Sequence, residues 1–202
     1  RPEAATVAVI GSGTQARTQL EAVCCVRRIR QARIYDSNAA FAGRFADEMR
    51  RSGLDIEAVA SPAAALRDAD IVCTATTAAA PVFDDRDVHP GTHINAIGVF
   101  QPDRAEVPAG TVRRARVVVD HRASALEEAG DLLLPLRAGL IGEEHMAAEL
   151  GPLLLGRVAG RTSPGQITLF KSVGVAIQDL CAAARALDAA RRMGLGTPMH
   201  MG

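Results

Sequence analysis

Two glycines, a small residue and a carboxylate carry the clearest chemistry in this chain. Gly11 and Gly13 lie in the segment Ile10-Gly11-Ser12-Gly13-Thr14-Gln15-Ala16, and Asp36 closes the run Ala32-Arg33-Ile34-Tyr35. Glycine at the first position allows a tight turn, and at the second it leaves bare backbone for a pyrophosphate to approach. Ala16 stands where a third small residue lets helix and strand pack closely. A helix opening at this turn points unpaired N–H groups and the positive end of its dipole at phosphate. A carboxylate about 20 residues further on accepts hydrogen bonds from a ribose diol and repels a 2′-phosphate. Ser37 and Asn38 follow it and bring no arginine to offset that repulsion. The pattern points to a dinucleotide site that prefers NAD to NADP.

Such residues need a strand, a turn and a helix to hold them, and the flanking sequence supplies these. Thr6 to Ile10 is a β-branched and apolar run of the kind buried on both faces of a parallel sheet, and Thr18 to Val26 reads as helix. Further strands are expected at Ala32 to Asp36, Ile56 to Ala60, Asp70 to Thr76, Thr92 to Gly98 and Ala115 to Asp120. Between them, Ala39 to Arg51 is amphipathic, with Phe41, Phe45, Ala46 and Met49 on its apolar face. Ser61-Pro62 reads as the cap and first residue of a helix to Arg67. The alternation predicts an α/β fold, a doubly wound parallel sheet of order 3-2-1-4-5-6. Ligands of such sheets lie across the carboxyl ends of the strands, where Thr74, Ala75 and Thr76 would approach a cofactor without bulk. Asn95 interrupts an apolar strand, and two readings stay open: an amide satisfied by core neighbours, or one facing a ligand. Beyond Ala123 come an amphipathic piece from His145 to Leu155, a loop at Gly160 to Gly165 and a short strand at Ile167 to Phe170. Ser172 then caps a long Ala-rich helix from Val173 to Met193.

Composition sets the outer bounds. The chain has 202 residues, 48% of them hydrophobic, which suits one domain with a sizeable core, and the 23 Lys plus Arg balance the 23 Asp plus Glu. Zero formal net charge, 3% aromatic residues and no Trp offer neither a basic surface nor a stacking platform for nucleic acid. The apolar stretches are strand-length, so no membrane partner is expected, and a cytoplasmic setting is. Cys24, Cys25, Cys73 and Cys181 form no CxxC pair and sit in apolar surroundings, so they read as small core residues. The histidines, His89, His93, His121, His145 and His200, lack metal-ligand spacing, and no metal site is expected.

Longer strings of residues carry a resemblance. Ile10 to Ala16, Gln19-Leu20-Glu21, Ala69-Asp70-Ile71-Val72, Pro90-Gly91-Thr92-His93-Ile94-Asn95-Ala96-Ile97-Gly98, Glu149-Leu150-Gly151 and Ile167-Thr168-Leu169-Phe170-Lys171-Ser172 resemble the ornithine cyclodeaminase/μ-crystallin family, in one order through nearly the whole chain. The resemblance implies a Rossmann domain carrying NAD(H) or NADPH, a separate domain for substrate binding and dimerisation, and hydride chemistry at the α-carbon of amino or imino acids. It implies that Thr14 and Gln15 contact the phosphates and that Asp36 binds the adenosine ribose. Thr76, the segment Ile94 to Ile97 with the following Gly98, and Ser172 would line the nicotinamide side. Together with Gly11, Ser12, Gly13, Ala16, Ser37, Thr74 and Ala75, these make the expected cofactor site.

Two departures from the family shape the expectation. In the cyclodeaminases a Gly-Gly-Asp sequence follows the Asn-containing strand, whereas here Gly98-Val99-Phe100 puts a phenyl ring where that acid stands. A ring cannot exchange a proton, so the resemblance leans to the ketimine-reductase and μ-crystallin branch. The family's substrate domain precedes the cofactor domain, and this sequence opens five residues before its first strand. Residues 1–202 are therefore expected to form an NAD(P)-binding domain with a helical segment from about residue 173 returning toward a second domain. The homodimer contact and the substrate-holding Lys, Arg and acid would lie in that second domain. The leading expectation is an NAD-dependent ketimine reductase or amino-acid dehydrogenase with a small amino or imino acid as substrate. The alternatives are a cyclodeaminase of ornithine or a related diamino acid, and a non-catalytic ligand binder.

Overall fold

A computed structural model of the chain describes residues 1–50, 53–197 and 199. Arg51, the expected end of the second helix, and His200 lie outside the described residues. Among these described residues eight strands, all paired in parallel, form one sheet: β1 (Thr6–Ile10), β2 (Gln31–Tyr35), β3 (Asp55–Ala58), β4 (Ile71–Thr74), β5 (His93–Ala96), β6 (Arg116–Val119), β7 (Met146–Glu149) and β8 (Thr168–Lys171). The helices are α1 (Thr14–Val26), α2 (Ala39–Arg50), α3 (Pro62–Leu66), α4 (Ala109–Arg114), α5 (Arg122–Glu128), α6 (Gly130–Arg137), α7 (Leu150–Leu154) and α8 (Ala176–Met193). This is the expected Rossmann-like α/β fold. One apolar layer joins α1 and α2 to one face of the sheet through Val9, Ala16, Leu20, Ile34 and Phe45. The other covers the opposite face through Leu66, Ile94, Val112, Leu132 and Leu169.

The strand order is β3-β2-β1-β4-β5-β8-β6-β7. The expected order holds through the fifth strand and is corrected at the sixth position, where β8 separates β5 from β6. A charged residue at the end of a short apolar run suggests a sheet edge, but Lys171 is completely buried and paired with Asp131. That pairing lets β8 occupy the interior of the sheet, where its Leu169 is also buried.

Local chemistry explains several boundaries. Ser61 accepts the amide of Ala64 at 3.1 Å with Pro62 at the first helical position, as its sequence context requires. Helix α1 opens at Thr14, directly behind Gly13, earlier than the expected Thr18. Ser172 does not cap α8; its hydroxyl donates to Asp120 at 2.8 Å, and the helix begins behind Val175. The piece beginning at His145 divides into the edge strand β7, with Met146 and Ala148 facing the core, and the single turn α7. A period of 2 over four residues was too short to stand out from a helical pattern. Helix α8 has no buried residue. Of the cysteines only Cys73 is buried, where burial pushes its thiol up to about 12; Cys24, Cys25 and Cys181 are exposed, contrary to the core reading.

Candidate cofactor site

The carboxyl ends of β1, β2, β4, β5 and β8 meet along a groove made of two clefts that share Gly13, Ala75, Thr76 and Thr77. The first, of about 710 Å³, runs over Gly11, Ser12, Asp36 and Ser37 between α1 and α2. The second, of about 500 Å³, is lined by Thr14, Gln15, Ile97, Gly98, Phe100 and Ser172.

The glycine turn has the geometry that its sequence demands. Gly11 takes φ +102°, and a Cβ there would stand 2.5 Å from the carbonyl oxygen of Ala75. Gly13 has φ −82°, and a Cβ on it would meet nothing within 4 Å. The first glycine serves the fold, and the second leaves open space at the start of α1. No side chain caps that helix end, so its first amides face the groove. Ala16 is completely buried against Val7 and Val9, which is close packing of helix on strand and not a place in the groove.

At the far end of the first cleft, Asp36 accepts the Ser12 hydroxyl at 2.6 Å on one oxygen and the Asn38 amide at 2.9 Å on the other. Each oxygen keeps a lone pair for a further donor, so the carboxylate is both oriented and available. Sequence reasoning missed the wall opposite. Phe41, assigned to the apolar core face, is 48% exposed and lines this cleft, and the Arg44 guanidinium stacks over its ring at 4.7 Å. Arg17, paired with Glu48, closes the same side. The signal available was the spacing of three between Phe41 and Arg44, which puts them on neighbouring faces of one helix.

The second cleft rests on groups that the sequence reading did not single out. Glu106 is completely buried and accepts three backbone amides: Thr76 at 2.7 Å, Gly98 at 2.8 Å and Val99 at 3.2 Å. Burial, with Asp131 adding its charge, raises the Glu106 carboxyl above its ordinary range, while the Thr76 contact and Lys171 oppose that rise. The Glu106 and Val107 amides donate to Asp131 at 2.7 and 2.8 Å, and Asp131 pairs with Lys171 at 2.7 Å. Lys171 in turn donates to the Val99 carbonyl. Asp120, at the end of β6, accepts the Ser172 hydroxyl and the Val173 and Gly174 amides at 2.8, 2.9 and 2.8 Å, which shapes the loop beside the cleft. Lys171 is the one charge between Arg161 and Asp179, and that isolation was a signal available in the sequence; Glu106 follows Asp103 and Arg104, Asp131 follows Glu127 and Glu128, and neither stood out.

Of the expected cofactor residues, Gly11, Ser12, Gly13, Thr14, Gln15, Asp36, Ser37, Ala75, Thr76, Ile97, Gly98 and Ser172 line the groove. Thr74, Ala96 and Ala16 are buried, and Asn95 lies beneath the groove. The half-buried Asn95 side chain meets His93 Nε2 at 3.0 Å and Cys73 Sγ at 3.8 Å. Burial lowers the neighbouring His93 imidazole to about 4, so it is neutral near pH 7. The Thr74 hydroxyl is buried without a hydrogen-bond partner. Phe100, 57% exposed, stands on the rim of the second cleft. No group of acidic, His or Cys side chains suited to a metal ion occurs among the described residues, and no described helix is long and apolar enough to cross a membrane.

Comparison with known proteins agrees with this architecture. Residues 1–193 match the model of the ornithine cyclodeaminase/mu-crystallin family, and the chain belongs to that family. A Delta(1)-pyrroline-2-carboxylate reductase of Bacillus cereus is 39% identical over 97% of this chain and 61% of its own length. The structure of the Thermococcus litoralis enzyme of the same name, in complex with NADH and L-proline, superposes with TM-score 0.95 at 42% identity, over 98% of this chain and 62% of that one. An archaeal alanine dehydrogenase dimer with bound NAD gives TM-score 0.93 at 32% identity, over 100% of this chain and 62% of that one. The chain thus spans a little over three-fifths of the length of these relatives.

Proposed function

We propose that this member of the family is the cofactor-binding part of an NAD(H)-dependent oxidoreductase of amino and imino acids, and that its reaction is reduction of a ketimine to the L-amino acid. The observation that carries the reading is the continuous groove over the strand ends, with the Asp36 carboxylate at one end and the Phe100 ring at the other. A dinucleotide fits the residues present: Gly11 is pressed against Ala75, Gly13 opens onto empty space, and the first amides of α1 are uncapped. The relatives whose structures hold NADH and NAD support the same assignment.

Asp36, held by Ser12 and Asn38, would bind the ribose hydroxyls, and its charge disfavours a 2′-phosphate. Gly13, Thr14 and Gln15 would hold the pyrophosphate at the helix start. Thr76, Gly98 and Ser172 would line the place of the nicotinamide ring, whose C4 supplies the hydride when bound. Phe100, on the rim of that place, offers no proton, which favours a reductase over a cyclodeaminase. The chain's share of catalysis is to hold ring and substrate carbon in line. The L-proline of the Thermococcus complex supports a small imino acid as substrate, and the dimeric alanine dehydrogenase supports a homodimer. Four free thiols suit the reducing cytoplasm.

The test is turnover by the whole polypeptide that carries this chain. With a cyclic imine carboxylate it should oxidise NADH mole for mole, and with ornithine it should release no ammonia. Ammonia release from ornithine without net change in the nicotinamide absorbance would overturn the reading and show that another group supplies the missing acid.

A further inference from the structure

The nicotinamide half of the groove is built by two loops that have no regular pairing with each other, the segment after β4 at Thr76 and the segment after β5 at Gly98 to Phe100. They approach so closely that a Cβ on Gly98 would collide with the backbone of Thr76. One side chain joins them. Glu106 takes the Thr76 amide on Oε1 and the Gly98 and Val99 amides on Oε2. The Val99 peptide is held on its other side by Lys171, Lys171 is paired with Asp131, and Asp131 accepts the amide of Glu106 itself. The links close into a circuit beneath the second cleft, and the next residue along from two of its members lines that cleft: Phe100 after Val99, and Ser172 after Lys171.

We infer that Glu106 is a positioning residue for the nicotinamide end of the bound dinucleotide: it sets the separation of the Thr76 and Gly98 loops, and with it the width and aim of the second cleft, without touching the cofactor. This rests on the cofactor reading above. The chemistry is specific to a carboxylate. Three N–H donors converge on two acceptor oxygens, so an amide of the same shape would turn an N–H against a backbone N–H on one side. The first cleft shares Thr76 with the second, but its Asp36 end, held by Ser12 and Asn38, has no part in the circuit.

The test compares NADH with ADP-ribose, which lacks the nicotinamide ring, in the wild-type protein and in Glu106→Gln. ADP-ribose affinity should stay within about twofold of wild type, while NADH affinity falls by about tenfold or more, toward that of ADP-ribose. A parallel loss of both ligands, or no change in either, would overturn the inference alone; a wild-type protein that binds neither would overturn the cofactor reading and the inference with it. Should Glu106→Gln not fold, native-state hydrogen exchange of the wild type decides the matter. The Thr76, Gly98 and Val99 amides should exchange as slowly as those of β4 and β5, to within about tenfold, and free-loop exchange at these three would refute the clamp.

Discussion

The two ends of the groove are built on opposite principles. The Asp36 end stands on one strand-turn-helix-strand unit, its carboxylate partly open to solvent and held by a hydroxyl and an amide within 24 residues. The Phe100 end stands on completely buried charge, with Glu106, Asp131 and Lys171 drawn from segments 24 to 72 residues away from their partners in sequence, except for the nearby Gly98 and Val99 amides. Where polar groups keep access to water, a change of residue alters ligand contacts and leaves the fold nearly alone. Where they are buried, every group is balanced against another, and the same kind of change is felt as stability. Cofactor choice is therefore separable from folding at one end of the groove and tied to it at the other.

The largest effect is expected at the buried end. Lys171→Met removes the only cation among the completely buried members of the circuit and leaves Asp131 unpaired beside Glu106, so unfolding in urea should show a loss of about 3–5 kcal/mol. A loss below about 1 kcal/mol would erase the contrast between the two ends. At the open end, Gly13→Val should do the reverse. With φ −82° and no atom within 4 Å of the added Cβ, the fold should lose less than about 1 kcal/mol, while NADH binding weakens by about tenfold or more because the side chain fills the place of the pyrophosphate. Equal losses of stability and binding would show that the turn is structural only. The smallest and most selective effect belongs to Asp36→Ala. Titration of both cofactors should show NADH weakened a few-fold and NADPH unchanged or tighter, narrowing a wild-type preference for NADH. Arg44, stacked in the same cleft, would then be a cation available to a 2′-phosphate. A wild-type preference for NADPH would sink the ribose assignment.

The same contrast explains what could be read from the amino-acid order. The unit from Thr6 to Asp36 was legible because its strand, turn, helix and acid follow one another along the chain, and the order of the first five strands follows from the alternation of apolar runs with helices. The place of β8 was not legible. Lys171 looks solvent-seeking until Asp131 is brought to it through the fold. Ser172 reads as a cap because hydroxyls before Ala-rich helices often are, yet Asp120 from another strand claims it. Glu106 is invisible to motif reading since it binds backbone, which has no sequence signature. Phe41 has core composition and a groove position, because an apolar residue can serve either a protein interior or the apolar face of a ligand.

The interior position of β8 also bears on how the chain comes together during synthesis. Residues 6–96 hold all that is needed to pair β3, β2, β1, β4 and β5, and residues 116–149 hold β6 and β7, but the two groups share no strand pairing until residues 168–171 arrive. Until then β5 and β6 each present a free edge to a crowded solution, the arrangement most prone to pairing with another chain. The joining strand closes a loop from residue 96 to residue 168 on one side and from 119 to 168 on the other, so the two parts of the sheet are joined only after the strands of both have been made. The strand that completes the sheet is also the one that delivers Lys171 to Asp131, so the floor of the groove forms in the same event that removes the exposed edges.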